Sequence, residues 1–213
     1  MKNSPATPPD SPPAMLAFVR DLPNLCSLAG LFFALVSLYA SMTRQFGLSV
    51  IAMVWAVFFD WADGIVARQL KGRTDVHRAY GAQLDSLIDM ISFGACPAVF
   101  LLGLGDFKPL WLIPAFIPLA AAAIRLSWFN IFGLDDTGSY IGLALDNNIL
   151  VLSLVFIFRE WIPSQAFPLA AAGLFSGLAI LNLAPVRTPK FGSQWFPALG
   201  VYCLAITLVI TFT

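Results

Sequence analysis

Apolar stretches about 20 residues long, the length an α-helix needs to cross roughly 30 Å of hydrocarbon, recur along this chain between polar or proline-rich breaks. Each stretch has to satisfy its own backbone hydrogen bonds, which a helix does internally. Composition points the same way: 59% of the 213 residues are hydrophobic and 11% charged, with a mean hydropathy of +0.81. Soluble domains carry about 25% charged residues. The expected fold class is an all-α polytopic membrane protein with six to seven transmembrane helices. They fall at approximately 24–43, 47–70, 80–104, 109–132, 146–160, 165–185 and 195–213.

The formal net charge is zero, but the twelve basic residues are unevenly placed, and in a membrane chain their placement sets orientation. With the N-terminus inside, Lys2, Arg20, Arg68, Lys71, Arg73, Arg78, Arg125, Arg187 and Lys190 fall on or near the cytoplasmic side, leaving Arg44, Lys108 and Arg159 outside. The nine-to-three split predicts that the N-terminus faces inward. Placement in a bacterial inner membrane, with the polar ends of the second and third helices toward the cytoplasm, is the resulting expectation.

The pattern predicts a disordered cytoplasmic tail at 1–14, rich in Pro and Ser and without the basic start and apolar run of a signal peptide, followed by one membrane domain at 15–213. Met15 to Asp21 reads as a short interfacial helix, and Pro23 suits the first turn of the first span, leaving Asn24 polar at the membrane boundary. Cys26, Cys96 and Cys203 are widely spaced within predicted spans and read as small buried hydrophobes. The loop from Lys71 to Tyr80, carrying Lys71, Arg73, His77 and Arg78, reads as a tight cytoplasmic connection. Its cations obey the positive-inside rule and would also attract an anionic substrate.

Against this background stand four aspartates: Asp60-x-x-Asp63-Gly64-x-x-Ala67-Arg68, then Gly81-x-x-x-Asp85-x-x-x-Asp89. A spacing of three or four places each pair along one face of its own helix. A carboxylate inside a membrane segment costs a few kcal/mol even on insertion scales. Salt bridges to Arg68 and its neighbours would offset too little of that, because one or two cations cannot neutralise four anions. One or two divalent ions can, and an all-oxygen donor set suits Mg²⁺ or Mn²⁺. Lining the pathway of a cation or proton transporter is the rival use of intramembrane acids. Gly64, Ala67 and Gly81 are small enough for a ligand or a facing helix to approach, and Arg68 presents a planar fork suited to phosphate or carboxylate.

These residues resemble the signature of the CDP-alcohol phosphotransferases, Asp-x-x-Asp-Gly-x-x-Ala-Arg followed by Gly-x-x-x-Asp-x-x-x-Asp, at all eight positions. The resemblance implies an enzyme in which an acceptor hydroxyl attacks a CDP-linked donor and releases CMP. It implies that Asp60, Asp63 and Asp85 hold the metal, with Asp89 a further metal ligand, the general base or both, and Asp85 and Asp89 the catalytic pair. It further implies that Gly64, Ala67, Arg68 and Gly81 line the site of the CDP moiety, and that the protein works as a homodimer among membrane lipids. No nucleic-acid partner is expected.

Flanking segments are similar to the branch that uses CDP-diacylglycerol as donor and serine as acceptor in phospholipid biosynthesis, yielding phosphatidylserine. They are Leu84 to Asp89 followed by Ser92-Phe93-Gly94 and Pro97-Ala98, Pro23-Asn24, Arg125-Leu126 with Phe129-Asn130, and Pro189-Lys190-Phe191. Asn24 and Arg125 are the further candidates for ligand contact, Arg125 for an anionic group of donor or acceptor. Two departures bear on the acceptor. Ser127-Trp128 stands where that branch tends to carry Ala-Arg, and no proline follows Gly142-Leu143. The nearby segment instead carries Asp135, Asp136, Asp146, Asn147 and Asn148, which read as a solvated loop with helix caps or as an acceptor site for a cationic group. Choline, glycerol 3-phosphate or an inositol compound are the other acceptors for the same chemistry. Trp55, Trp61, Trp111, Trp161 and Trp195 read as interface anchors without chemistry.

Overall fold

The computed structural model describes residues 14–135, 138–189 and 192–212. The expected tail up to Pro13 lies outside the described residues, as do Asp136, Lys190 and Phe191. Among the described residues nine α-helices follow in order: α1 Met15–Val19, α2 Leu22–Met42, α3 Phe46–Gln69, α4 Asp75–Asp89, α5 Cys96–Leu104, α6 Leu112–Phe132, α7 Asp146–Ile157, α8 Phe167–Leu183 and α9 Phe196–Phe212. Two short strands, β1 Tyr140–Ile141 and β2 Arg187–Thr188, pair antiparallel with Tyr140 opposite Thr188. The protein is an all-α polytopic membrane protein. Leu22–Met42, Phe46–Gln69, Asp75–Leu104, Pro109–Phe132 and Ser193–Phe212 are long and apolar enough to cross a membrane, and Asp146–Ile157 and Phe167–Leu183 are shorter apolar helices.

Each expected apolar segment is helical, and the differences lie at the ends. The third begins at Asp75 rather than near 80, because the Thr74 hydroxyl accepts from the His77 amide at 3.3 Å and caps the helix inside the polar loop. The same segment is interrupted by a π-helical turn at Met90–Ala95, between the last aspartate and Pro97. Proline has no N–H to give the preceding turn, and its ring crowds the carbonyl four residues back, which a widened turn relieves. Pro23 sits in the first turn of α2 as expected.

Without a hydrophobic drive between helices in lipid, close packing depends on small residues. Gly30 of α2 lies against α3, where a Cβ would come within 3.4 Å of Phe59 and 3.6 Å of the Ala56 carbonyl, and Ser37 and Ser41 of α2 face Ser49 of α3. The Ser49 hydroxyl bonds those of Ser37 and Ser41 at 3.0 and 2.7 Å. α6 packs against α5 and α8, and its Ala115, Ala121 and Ala122 are buried. Cys96 and Cys203 are buried, their thiols directed at the carbonyls of Ala34 and Val54, and Cys26 is half-buried.

The two ends of the bundle differ. One end carries the α2–α3 and α5–α6 connections, joined by an exposed Arg44–Asp106 ion pair at 2.7 Å. The other carries the α3–α4, α6–α7 and α8–α9 connections, where polar residues run inward. There α1 folds back on the bundle: Phe18 stacks on Tyr80 at 4.3 Å between ring centroids, and Arg73 pairs with Asp21 at 2.7 Å, both largely buried. Met15 and Leu16 remain exposed on α1, in keeping with the interfacial helix expected there.

Candidate functional site

At the second end a cavity of about 410 Å³ opens between two walls. The first wall is α3 and α4. Helical spacing puts Asp60, Asp63, Gly64 and Arg68 along α3 facing Asp85 and Asp89 on α4, and all six line the cavity. One carboxylate oxygen from each of Asp60, Asp85 and Asp89 lies within 4.8 Å of the others. Oxygens on opposite sides of a hard divalent ion, with bonds of roughly 2.1–2.5 Å, are about 4–5 Å apart, so the trio fits such an ion. Asp63 is 7% exposed, and its Oδ2 accepts a hydrogen bond from the Ser27 hydroxyl of α2. It stands beside the trio, anchored to the neighbouring helix.

The second wall comes from α6, the connection that follows it, and α7. Arg125, Leu126 and Phe129 project from α6, Tyr140 from β1, and Asp146 and Asn147 from the start of α7. The connection is fixed at several points. Gly142 has φ +78°, and a Cβ there would lie 2.1 Å from the Asn182 carbonyl oxygen, so only glycine fits between β1 and the end of α8. Asn148 and Asn182 exchange amide hydrogen bonds at 2.8 and 3.1 Å, and Asn182 also donates to the Leu143 carbonyl at 2.9 Å. Thr188 donates to the Gly142 carbonyl at 2.7 Å, and Arg187 pairs with Asp135 at 2.9 Å.

Arg125 is 7% exposed, and its Nε and Nη2 are buried with no hydrogen-bond partner among the described residues. Its Cζ lies 5.6 Å from the Tyr140 ring centroid, a cation–π contact on one face. Burial pushes the Tyr140 hydroxyl up to about 12, the Asp146 carboxylate adding to the effect, so the phenol stays protonated at the cavity wall.

Of the residues singled out by the sequence, Asp60, Asp63, Asp85, Asp89, Gly64, Arg68 and Arg125 share this one cavity. Ala67, Gly81 and Asn24 lie outside its lining. Gly81 is where α4 meets the α1–α2 junction: a Cβ there would come within 2.9 Å of Arg73 Nη2 and 3.2 Å of Asn24 Oδ1. Asn24 is buried and donates to the Phe18 carbonyl at 2.8 Å, tying α1 to α2. Pro189 lines the cavity, and Asn130 accepts from the Ser86 hydroxyl at 2.9 Å, so segments flanking the aspartates also converge here.

Trp61 and Asp146 depart from their simplest sequence readings. Trp61 lines the cavity, and its indole donates to Asp146 Oδ2 at 2.8 Å, whereas Trp161 is exposed as an interface anchor would be. Asp146 is the first residue of α7, and its carboxylate also lines the cavity, where the Trp61 indole and the Asn147 side chain donate to it.

Residues 20–212 match the family model described as CDP-alcohol phosphatidyltransferase. An archaetidylserine synthase of Methanothermobacter thermautotrophicus is 30% identical over 173 residues, covering 79% of this chain and 70% of the relative. A CDP-diacylglycerol–serine O-phosphatidyltransferase of Methanocaldococcus jannaschii is 28% identical over 90% of this chain and 85% of its own length. One of the same name from Helicobacter pylori is 31% identical over 79% and 72%.

Proposed function

Because the chain belongs to the CDP-alcohol phosphatidyltransferase family, we propose that it transfers a phosphatidyl group from CDP-diacylglycerol to the hydroxyl of L-serine, giving phosphatidylserine and CMP. The observation that carries the chemistry is the Asp60, Asp85 and Asp89 trio at the base of a cavity shared with Arg68 and Arg125. The names of the relatives support serine as the acceptor.

Asp60, Asp85 and Asp89 would hold a divalent ion, Mg²⁺ or Mn²⁺, with Asp63 completing a second position; when bound, it supplies positive charge that neutralises the donor pyrophosphate and the leaving CMP. Asp89 sits deepest along α4 and accepts the proton of the acceptor hydroxyl as its oxygen attacks the lipid-bearing phosphorus. The bond from that phosphorus to the CMP oxygen breaks, and CMP leaves with the electron pair. Arg68, on the exposed rim of α3, meets the nucleotide phosphates as a fork of donors. Gly64 leaves room for the CDP moiety beside it. Phe93, Leu126 and Phe129 restrict water around the reacting atoms.

The cavity end faces the cytoplasm in this reading. Arg20, Arg68, Lys71, Arg73, Arg78, Arg125 and Arg187 all belong to that end, against Arg44, Lys108 and Arg159 at the other, the distribution expected of the inner side. CMP release by purified protein with CDP-diacylglycerol, serine and Mn²⁺ tests the proposal. Serine-dependent phosphatidylserine is the expected product; the same metal-dependent release driven only by glycerol 3-phosphate, choline or an inositol compound would refute serine as the acceptor.

A further inference from the structure

We propose that Asp146 determines acceptor specificity, holding the α-ammonium of a hydroxy-amino acid whose α-carboxylate is held by Arg125. The proposal rests on the serine reading and assigns the residues that would impose it. Asp146 stands on the wall opposite the aspartate trio and is not a member of it. Its carboxylate receives the Trp61 indole at 2.8 Å on one oxygen and the Asn147 amide at 3.2 Å on the other. Because the carboxylate lines the cavity, its lone pairs can reach a ligand held there. Trp61 fixes the orientation in which they are presented.

The independent observation is Arg125. A guanidinium that is 7% exposed, with Nε and Nη2 unpartnered among the described residues, lines the same cavity as Asp146, and no ion pair joins the two. Buried charges are ordinarily paired, since leaving one uncompensated costs several kcal/mol. Here opposite charges flank an open space without closing it. A ligand that carries an anion and a cation a few bonds apart satisfies both at once, and an α-amino acid is the smallest common group that does so. Choline would engage Asp146 and leave Arg125 unpaired, and a phosphorylated acceptor would engage Arg125 while repelling Asp146. A pocket that hydrogen-bonds both ends of a substrate also rejects analogues lacking one end, because the unmet group is then buried unpaired.

The test compares the parent with Asp146→Asn, which keeps an acceptor for Trp61 and removes the charge. Both are purified in detergent, checked for equal thermal midpoints, and assayed for CMP release with serine and with 3-hydroxypropanoate, which lacks the ammonium. The expected result is a roughly 10- to 100-fold rise in KM for serine, the loss typical of one charge-assisted hydrogen bond, with KM for CDP-diacylglycerol within about twofold of the parent. The preference of the parent for serine over 3-hydroxypropanoate narrows by the same factor. If the parent uses serine and the variant retains its KM and its preference, the proposal is overturned while the serine reading stands. A rise in KM for CDP-diacylglycerol instead would move Asp146 to the donor site and equally overturn it. A parent that releases CMP only with acceptors lacking an amino-acid group would sink both readings.

Discussion

The two walls of the cavity are built by different means. On the α3–α4 wall, every side chain sits where a period of 3.6 residues puts it, and two helices in contact with the rest of the bundle suffice to bring Asp60, Asp85 and Asp89 together. The facing wall is assembled from α6, a short β pair and the start of α7, drawn in by Gly142, the Asn148–Asn182 amide pair and Thr188. The metal chemistry proposed for this chain falls on the regular wall, and the acceptor contacts proposed for it fall on the irregular wall, which depends on loop residues.

Breaking the regular wall should have the largest effect. Asp85→Asn removes one charge of the trio, and we expect kcat to fall by at least roughly 10²–10³-fold, the order for losing one preorganised electrostatic contributor. Circular dichroism and the thermal midpoint should stay near those of the parent; full activity in this variant would exclude the trio as the reaction centre. Breaking the irregular wall should act through structure. Gly142→Ala forces a side chain into a left-handed backbone against the Asn182 carbonyl, costing more than about 3 kcal/mol locally. The measurable result is a lower thermal midpoint in detergent and faster proteolysis at 133–145, with acceptor affinity lost before donor affinity.

Smaller effects sharpen the contrast. Ser27→Ala deletes the hydroxyl that bonds Asp63, and a loss of about 1–3 kcal/mol in the positioning of that carboxylate should raise the metal concentration needed for half-maximal rate by roughly tenfold or more. A metal titration of CMP release reads this directly; an unaltered titration would make the Ser27 contact structural only. At the opposite end, Arg44→Ala breaks the exposed pair with Asp106 and should change stability by less than about 1 kcal/mol, as exposed pairs do. Kinetic constants equal to those of the parent are expected, and a change in acceptor KM would show that the two ends are coupled.

The same division explains what was readable in the sequence. Span positions and the pairing of the aspartates on helix faces follow from hydropathy and helical spacing, which are local, while Gly64, Arg68 and Arg125 are singled out through the motifs that resemble the family. The roles of Trp61 and Asp146 are not local: an indole and a carboxylate 85 positions apart meet because α3 and α7 pack together. Thr74 extended α4 past the expected start through one capping bond, and the π-turn before Pro97 reflects how a proline is accommodated when a helix continues through it. Gly81 and Asn24 hold the α1–α2 junction against α4, a packing role that the motif pattern does not separate from ligand contact.

The most direct measurement of the central claim is CMP release from CDP-diacylglycerol by the purified protein in the presence of serine, before and after removal of divalent ions with a chelator. The account predicts release that requires serine, yields phosphatidylserine, disappears on chelation and returns with added Mn²⁺ or Mg²⁺. Serine-dependent release that persists without any divalent ion would contradict the role given to Asp60, Asp85 and Asp89.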